Sequence, residues 1–338
     1  MKRAGFDPSA FFPAKLFAKI TDHRVGHPDL PRDLLLARKR RRSLTKDGRL
    51  VLLAADHPAR MVTSIRDDPL RMGRRHELLA RVLRVMACSP FDGVLGTADV
   101  LDDLVVASTF MKKPAGLFDG KLLIGSVNRG GLTGTSFELD DRMSGYDVEG
   151  AVRLRLDGVK FLLRFDPDDP LSLRTLRYCV EVARECSAAK MPFFLEPLPV
   201  IRKGGKVKTD NDRSKLVKLV GVASALGSST SRVWLKLPYC EGFDEVAAAT
   251  TLPILLLGGE ATDDVRGLLG EIESALKAGP NVRGVLMGRN LLYPSMDDPL
   301  PLALAVNWVV HDRLSADEAH ARMVGWSGKH VDVFRSND

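Results

Sequence analysis

Cysteine and long hydrophobic runs are both scarce in this 338-residue chain. The four cysteines have neither Cys-x-x-Cys spacing nor the density of a disulfide-stapled fold, so we expect a reduced cytoplasmic protein. No apolar run approaches the roughly 20 residues that cross a bilayer, and no membrane partner is expected. Residues 1–8 lack the apolar segment of a signal peptide.

Two kinds of cofactor motif are also missing. No spacing of His, Cys, Asp and Glu resembles a metal site, which disfavours metal-dependent chemistry. No Gly-x-Gly-x-x-Gly follows the first apolar run, which argues against a dinucleotide-binding doubly wound sheet. We therefore expect neither a metal nor an organic cofactor.

Negative charge is in deficit, with a formal net charge of +7. Much of the excess comes from the basic run Arg38–Arg42. Its simplest interpretation is a solvated helix end, where cations suit the helix dipole, or a contact in a homo-oligomer. Nucleic-acid binding is not expected, because no aromatic side chains alternate with the basic residues. A positive field would also attract phosphorylated substrates.

Short apolar runs alternate with segments of helical periodicity along most of the chain. Eight runs are predicted strands: Leu50–Ala55, Gly93–Gly96, Lys121–Gly125, Gly158–Leu163, Pro192–Glu196, Arg232–Leu237, Pro253–Leu257 and Val282–Met287. Near-continuous apolar strands are typical of parallel sheets that are covered on both faces. The pattern predicts an α/β fold, a single (β/α)8 TIM barrel over 49–312. A helical N-terminal extension, 1–48, precedes it, and a C-terminal helix and tail, 313–338, follow.

The clearest helical segments carry recognisable ends. Predicted helices include Arg71–Ala87, Pro170–Ala189, Asp212–Leu226 and Thr262–Ala278. Thr262 is a predicted N-cap, and Ser315 with Glu318 forms the pattern of a capping box. The longest irregular segment, 126–146, directly follows the third strand. We expect it to lie over the catalytic face as a glycine-rich substrate loop or as a plain connection.

Charged residues stand at the ends of several predicted strands. In a barrel these ends converge on one mouth, where catalytic groups gather. Lys236 is the candidate Schiff-base nucleophile, because a buried lysine can lose its proton and attack a carbonyl. Lys160 would lower its pKa by repulsion, while Glu196 and Asp56 would carry protons. Each residue also has a purely structural interpretation. Lys236 would be a strand-end lysine that reaches solvent, Lys160 and Glu196 would be ion-pair partners, and Asp56 would be an N-cap or turn residue.

Glycines follow the last two strands, at Gly258-Gly259 and at Gly288, where Arg289 comes next. Barrels often bind phosphate at this position, because glycine lets backbone amides approach and arginine can contact two oxygens. His57 is a candidate acid/base or an ordinary loop residue. These residues predict a phosphate-binding site, and so a phosphorylated substrate.

The sequence resembles the class I aldolases of the tagatose-bisphosphate aldolase group, in the deoxyribose-phosphate aldolase-like superfamily. The resembling segments are Asp157–Asp168, Met191–Glu196, Val233–Pro238, Leu252–Gly259 and Gly284–Arg289. The resemblance implies a metal-independent aldolase in which Lys236 is the Schiff-base lysine, with Lys160, Glu196 and Asp56 in the active site and Gly258, Gly259 and Arg289 at the phosphate. It further implies cleavage of a phosphorylated ketose or keto sugar acid to dihydroxyacetone phosphate and an aldehyde, in the breakdown of myo-inositol or another carbohydrate.

Two alternatives stay open from the residues alone. One is a sugar-phosphate isomerase that uses Lys236 and Glu196 without an imine. The other is a non-catalytic barrel that senses a sugar phosphate or binds a partner through Arg38–Arg42. A barrel fold by itself does not choose among these functions.

Overall fold

A closed parallel barrel forms the centre of the chain in a computed structural model that describes residues 6–112, 116–204, 206–326 and 333–334. The strands are β1 Leu50–Ala54, β2 Gly93–Gly96, β3 Leu122–Ser126, β4 Gly158–Phe165, β5 Phe193–Lys203, β6 Lys206–Thr209, β7 Val233–Leu237, β8 Ile254–Leu256 and β9 Val282–Met287. They run in the order β4-β3-β2-β1-β9-β8-β7-β5-β6, and β4 also pairs with β5. The (β/α)8 prediction is confirmed, because eight of these strands close a parallel ring.

Helices surround this ring and precede it. They are α1 Pro8–Phe11, α2 Ala14–Gly26, α3 Leu30–Ala37, α4 Arg75–Cys88, α5 Ala98–Ser108, α6 Val148–Arg153, α7 Leu171–Ala188, α8 Arg213–Ser224, α9 Phe243–Ala248, α10 Val265–Ala278, α11 Arg289–Leu292, α12 Pro299–Val310 and α13 Ala316–Val324. Two 3-10 turns lie at His57–Arg60 and Arg71–Gly73. In the part of the chain that is described, no helix is both long enough and apolar enough to span a bilayer.

The predicted helix ends agree with the structure in one case and fail in another. The Ser315 side chain accepts from the Glu318 amide and Glu318 reaches back, so the capping box of α13 is confirmed. Thr262 is not the N-cap of α10; Asp264 takes that position and accepts from the Gly267 amide. The tail after Trp326 lies outside the described residues except for 333–334, and the domain division stays a prediction.

Strand alternation separates the inside of the barrel from its outside. On β1, Leu50 and Leu52 belong to the apolar cluster inside the barrel, whereas Val51 and Leu53 pack against the helices. The same period places Phe194 of β5 inside. Because side chains alternate along a strand, every second residue toward the carboxyl end of these strands must also point into the barrel.

One hairpin was missed by the strand prediction. β5 continues past the predicted end at Glu196 to Lys203, and β6 returns antiparallel beside it. Lys203 pairs with Lys206 across the turn, and the sequence between them is Gly-Gly, of which Gly205 lies outside the described residues. A Gly-Gly pair between two strands is a hairpin signal. The hairpin brings Lys208 to the rim of the mouth.

The basic run corrects a prediction. Arg38 ends α3, as expected of a helix end, but its guanidinium is buried and lies 2.8 Å from Asp157. Arg41 pairs with Asp92, and Arg40 lies 2.9 Å from Asp157. Arg38 and Arg41 are therefore not part of a solvated helix end. With the exposed Arg40, Asp92 and Asp157 they form what we call the amino-end cluster.

Backbone groups complete the amino-end cluster. Asp92 accepts the Val51 amide at 2.8 Å, and Asp157 accepts the Leu123 amide at 2.9 Å. Both amides belong to the beginning of barrel strands, where each buried N–H group needs an acceptor. The cluster therefore ties the N-terminal extension to the bottom of the barrel.

Candidate active site

Four buried charges meet at the carboxyl end of the barrel, and we call them the mouth cluster: Asp56, Lys160, Glu196 and Lys236. Lys236 Nζ lies 3.0 Å from Glu196 Oε1, and Lys160 Nζ lies 2.8 Å from Glu196 Oε2. Lys160 Nζ also lies 3.1 Å from Asp56 Oδ2. All four residues are at most 8% exposed. The structure thus brings together the four residues that the strand ends predicted.

Alternation along three strands explains why these side chains face inward. On β7, Trp234 packs with the apolar cluster inside the barrel, so Lys236 two residues later also points inward. Glu196 follows Phe194 on β5 in the same way. The register pairs Lys160 with Phe194, one layer below Glu196. Glu196 consequently stands between the two lysines.

Asp56 lies just beyond β1, in the N-cap position of the 3-10 turn at His57–Arg60. It makes no side-chain capping bond to that turn. Its carboxylate is instead directed to Lys160, and Ser126 Oγ lies 3.4 Å from the same Oδ2 atom. The interpretation of Asp56 as a simple turn residue therefore accounts for its position but not for its partner.

The two lysines of the mouth cluster differ in basicity. Burial lowers the pKa of Lys236, Lys160 adds like-charge repulsion, and Glu196 only partly opposes them. For Lys160 burial also acts to lower the pKa, but the carboxylates of Asp56 and Glu196 outweigh it and raise the pKa. Lys236 is thus the lysine that more readily becomes a neutral amine, and Lys160 the one that keeps its charge.

The two carboxylates are held in the ionised form. Burial alone would raise the pKa of Glu196, but Lys160 and Lys236 lower it below its usual range. Asp56 is lowered in the same way, chiefly by Lys160. Both carboxylates are therefore in the form that can accept a proton, with a proton affinity that the neighbouring lysines lower.

A cavity of about 700 Å³ opens directly onto the mouth cluster. Lys236 and Glu196 line it from below, and Gly258, Gly259, Gly288 and Arg289 line one side. The predicted catalytic pair and the predicted phosphate-binding residues therefore share one cavity. Within the described residues, no group of three or more His, Cys, Asp and Glu side chains is arranged to hold a metal ion.

Glycine is required by close approach at two of these positions. A Cβ on Gly258 would lie 2.2 Å from the Asn290 side-chain oxygen. A Cβ on Gly288 would lie 2.3 Å from His57 Cε1. Gly259 has φ +70°, a conformation that favours glycine. The side chains of Asn290 and His57 therefore fill the space beside Gly258 and Gly288, whereas no atom lies within 4 Å of a Cβ built on Gly259.

His57 also lines the cavity. Burial, assisted by Arg289 and Lys236, outweighs the pull of Asp56 and lowers the pKa of His57 to about 3. Its Nδ1 atom is buried, lies 3.8 Å from Asp56 Oδ1 and makes no hydrogen bond to any described residue. A neutral imidazole beside the lysines can donate or accept one hydrogen bond with a substrate.

The irregular segment 126–146 lies over the mouth, as expected from its position after β3. Thr133 lines the cavity and donates its amide to the Arg60 carbonyl at 3.1 Å. Glu138 of the same segment forms a buried ion pair with Arg164 at the end of β4. The sequence did not reveal this partner, because Glu138 belongs to a loop without periodicity.

The family of the chain is now clear. Residues 48–309 match the model of the Cgl0159-like family. The chain belongs to the Cgl0159-like family. The solved structure of Cgl0159 from Corynebacterium glutamicum is 37% identical, with a TM-score of 0.83, over 89% of this chain and 98% of that one.

Aldolases and a related synthase are among the more distant relatives. A 2-amino-3,7-dideoxy-D-threo-hept-6-ulosonate synthase of Archaeoglobus fulgidus is 24% identical over 84% of this chain and 95% of its own length. An archaeal fructose-1,6-bisphosphate aldolase, solved with its catalytic lysine bound to a carbinolamine intermediate, is 21% identical. Its TM-score is 0.56 over 83% of this chain and 99% of that one, which shows a shared fold.

The resemblance to tagatose-bisphosphate aldolases is narrower than the sequence segments implied. The tagatose 1,6-diphosphate aldolase of Listeria monocytogenes is 41% identical, but only over 44 residues, or 12% of this chain and 13% of that protein. The wider likeness to aldolase-type barrels is supported, whereas the chain itself is a Cgl0159-like protein.

Proposed function

We propose that this protein is a class I aldolase that forms a Schiff base through Lys236. One observation carries the proposal: a single carboxylate, Glu196, bridges two buried lysines whose pKa values move in opposite directions. An imine-forming enzyme needs one lysine that is a neutral nucleophile, and it gains from a second that stays cationic. The aldolase relatives support this choice among barrel functions.

The proposed reaction begins with attack by the neutral amine of Lys236 on the ketone carbon of a phosphorylated ketose or keto sugar acid. Glu196 is within general acid/base distance of Lys236. It accepts a proton from the attacking nitrogen and returns it to the former ketone oxygen, and a second proton, taken from solvent water in the cavity, lets that oxygen leave as water. The product is a protonated imine. Lys160 keeps its charge and hydrogen-bonds a substrate oxygen.

Bond cleavage follows from the electron demand of that imine. The bond between the carbon next to the imine and the hydroxyl-bearing carbon breaks, and its electron pair moves to the imine nitrogen to give an enamine. The hydroxyl proton passes to a carboxylate of the mouth cluster, either Asp56 or Glu196, and an aldehyde leaves. Protonation of the enamine carbon and hydrolysis by water release dihydroxyacetone phosphate and regenerate the amine of Lys236.

The phosphate of the ketone half is assigned, in this proposal, to Gly258, Gly259, Gly288 and Arg289. These residues line the same cavity as Lys236. The Arg289 Nε atom is buried and has no hydrogen-bond partner among the described residues. Buried donors of this kind are satisfied when an oxyanion binds, and an arginine can do so with two parallel bonds.

The experiment uses dihydroxyacetone phosphate as the probe. The wild-type protein should exchange one proton at the carbon next to the ketone for deuterium from heavy water, and borohydride should inactivate it in the presence of the probe. Lys236→Met should lose both responses. Lys121→Met is the matched control, because Lys121 is also a lysine of lowered pKa, about 8 as a result of burial, but lies at the other end of the barrel.

A clear negative result is defined for the same experiment. Suppose that folded wild-type protein neither exchanges protons nor is inactivated with any member of a panel of keto-sugar phosphates. The imine mechanism would then be wrong, and an isomerase without an imine or a binding barrel would replace it.

A further inference from the structure

A buried asparagine links the two glycine turns that border the cavity. Asn290 follows Gly288 and Arg289, lies on α11 and is fully buried. Its side-chain Nδ2 atom donates to the carbonyl of Gly258, which lies just beyond β8. One side chain therefore holds together the segments that follow β8 and β9. The proposed reaction assigns no role to Asn290.

This hydrogen bond fixes the direction of the peptide group between Gly258 and Gly259. In a trans peptide the carbonyl and the N–H point to opposite sides, so a carbonyl that faces Asn290 turns the Gly259 N–H away from it. The Gly259 amide donates no hydrogen bond to a described residue, and Gly259 lines the cavity. The bond from Asn290 thus leaves one backbone donor available for an anion in the cavity.

The other atom of the same side-chain amide has no partner. The Asn290 Oδ1 atom is buried and accepts no hydrogen bond from a described residue. A buried acceptor without a partner is costly, and an apolar side chain of similar size would avoid that cost. Packing alone therefore does not explain an asparagine here. What an apolar residue could not supply is the donor to Gly258.

Asn290 is itself held in place by the packing of α11. Leu291 and Leu292 beside it are buried, and the Leu292 carbonyl accepts from Arg81 Nη1 at 3.1 Å. Arg81 belongs to α4 and is fully buried. Because α11 is fixed to this helix, Asn290 can act as a rigid support for the more exposed turn at Gly258-Gly259.

We propose that Asn290 is a positioning residue, which holds the Gly258-Gly259 turn so that the Gly259 amide is directed at the phosphate of the substrate. The inference rests on the proposed function for the assignment of phosphate to this side of the cavity. Asn290 does not touch the substrate and acts through Gly258. Its loss should therefore weaken phosphate binding and leave the chemistry at Lys236 unchanged.

The first test is calorimetric titration with inorganic phosphate, which requires no catalysis. Asn290→Leu keeps a side chain of similar volume but removes the donor, and it should weaken phosphate binding about five- to ten-fold, the worth of one hydrogen bond. Asn281→Leu is the matched control. Asn281 stands directly before β9, and its Nδ2 atom donates to the Thr250 carbonyl at 2.8 Å. This control should leave phosphate binding unchanged, because the contact lies at the other end of the strand.

A second test separates positioning from general damage to the site. Proton exchange would be compared for dihydroxyacetone phosphate and for unphosphorylated dihydroxyacetone. Asn290→Leu should raise KM for the phosphorylated compound about five- to ten-fold at nearly constant kcat. Exchange of dihydroxyacetone should not change, since Lys236 and Glu196 keep their positions. A residue that only supported the fold would affect both compounds alike.

A pair of substitutions tests the contact itself. Gly258→Ala should weaken phosphate binding, because its new Cβ would meet the Asn290 side chain. Adding Asn290→Ala to that variant removes the colliding atoms and should restore part of the binding. A double variant that binds phosphate no better than Gly258→Ala would contradict the proposed contact.

The outcomes distinguish this inference from the proposed function. Phosphate binding that is absent from the wild type, or unaltered by Asn290→Leu, would overturn the role of Asn290, as would equal losses with the two exchange substrates. If no imine forms with dihydroxyacetone phosphate, the proposed function fails, yet the phosphate titration still decides whether Asn290 supports an anion site. Circular dichroism of each variant shows that a loss of binding is not a loss of folding.

Discussion

The two ends of the barrel both bury charged residues, but they satisfy them differently. In the amino-end cluster, Asp92 and Asp157 accept hydrogen bonds from arginines and from backbone amides of β1 and β3. In the mouth cluster, Lys236 and Glu196 border an open cavity. In barrels of this kind, residues at the amino end of the strands generally serve stability, and residues at the carboxyl end serve chemistry. The amino-end carboxylates are thus bound by protein donors, whereas Lys236 and Glu196 are also accessible to a ligand in the cavity.

Two lysines make the same contrast within one residue type. Lys121 at the amino end has a pKa of about 8, lowered by burial, and donates to the Ser89 and Phe91 carbonyls at 3.1 and 2.7 Å. Lys236 at the mouth is also lowered by burial, but its partner is a carboxylate that can take its proton. A lowered pKa alone therefore does not make a nucleophile. The neighbouring base and the adjoining cavity do.

The largest expected effect comes from Glu196→Gln. Removing the shared carboxylate should lower kcat by about 100- to 10,000-fold, the usual worth of a general acid/base. Glu196 also raises the pKa of Lys236, so its loss should move the acid limb of the rate profile to lower pH. The measurement is proton exchange of dihydroxyacetone phosphate as a function of pH. An unchanged rate would show that Glu196 is only a counter-ion.

The next effect concerns the amino end. Asp157→Asn would leave the buried Arg38 without its counter-ion and should lower the free energy of unfolding by about 3–5 kcal/mol. The activity of the molecules that remain folded should be retained. Urea unfolding measures the first expectation, and activity per folded molecule the second. Arg42→Gln is the control: Arg42 is exposed, and a change within about 0.5 kcal/mol is expected.

A loss of activity without a loss of stability in Asp157→Asn would reverse the assignment of the two ends. That result would mean that the amino-end cluster acts on the reaction rather than on the fold.

The smallest expected effect is a pH dependence at the amino end. His311 Nδ1 lies 2.8 Å from Asp47 Oδ2 and Nε2 lies 3.0 Å from Asp92 Oδ2, so the protonated ring donates to both carboxylates. Burial acts to lower the pKa of His311, but the carboxylates of Asp92 and Asp47 outweigh it, so the pKa is raised. Because the folded pKa is above the unfolded value, the stabilisation is complete at low pH and is lost as the pH rises through the folded pKa. His311→Asn should remove this decline, as measured by urea unfolding between pH 6 and pH 9.

An equal decline in the wild type and in His311→Asn would assign the pH dependence to another group. His311 would then no longer distinguish the amino end from the mouth, although the ion pairs of Arg38 and Arg41 would still do so.

Much of the mouth could be predicted from sequence. Strand alternation and the convergence of strand ends were sufficient to place Asp56, Lys160, Glu196 and Lys236 together, because both rules act over a few residues. The boundaries of β2 and β9 were predicted without error. The sequence also predicted a lowered pKa for Lys236 through repulsion by Lys160. What the residues did not supply is the raised pKa of Lys160, which depends on its distances to Asp56 and Glu196.

The amino-end cluster could not be predicted in the same way. Arg38 and Asp157 are separated by 119 positions, and no periodic pattern links them. A run of five basic residues is usually solvated, so the charge pattern favoured the wrong interpretation. Glu138, the partner of Arg164, was missed for the same reason. The β5–β6 hairpin, in contrast, carried a usable Gly-Gly signal.

The most direct test of the account is a peptide map after borohydride reduction with dihydroxyacetone phosphate. It compares three buried lysines in one molecule: Lys236 and Lys160 of the mouth cluster, and Lys121 at the amino end. The account predicts a reduced adduct on Lys236 and none on the other two. An adduct on Lys160 or Lys121, with Lys236 unmodified, would contradict it.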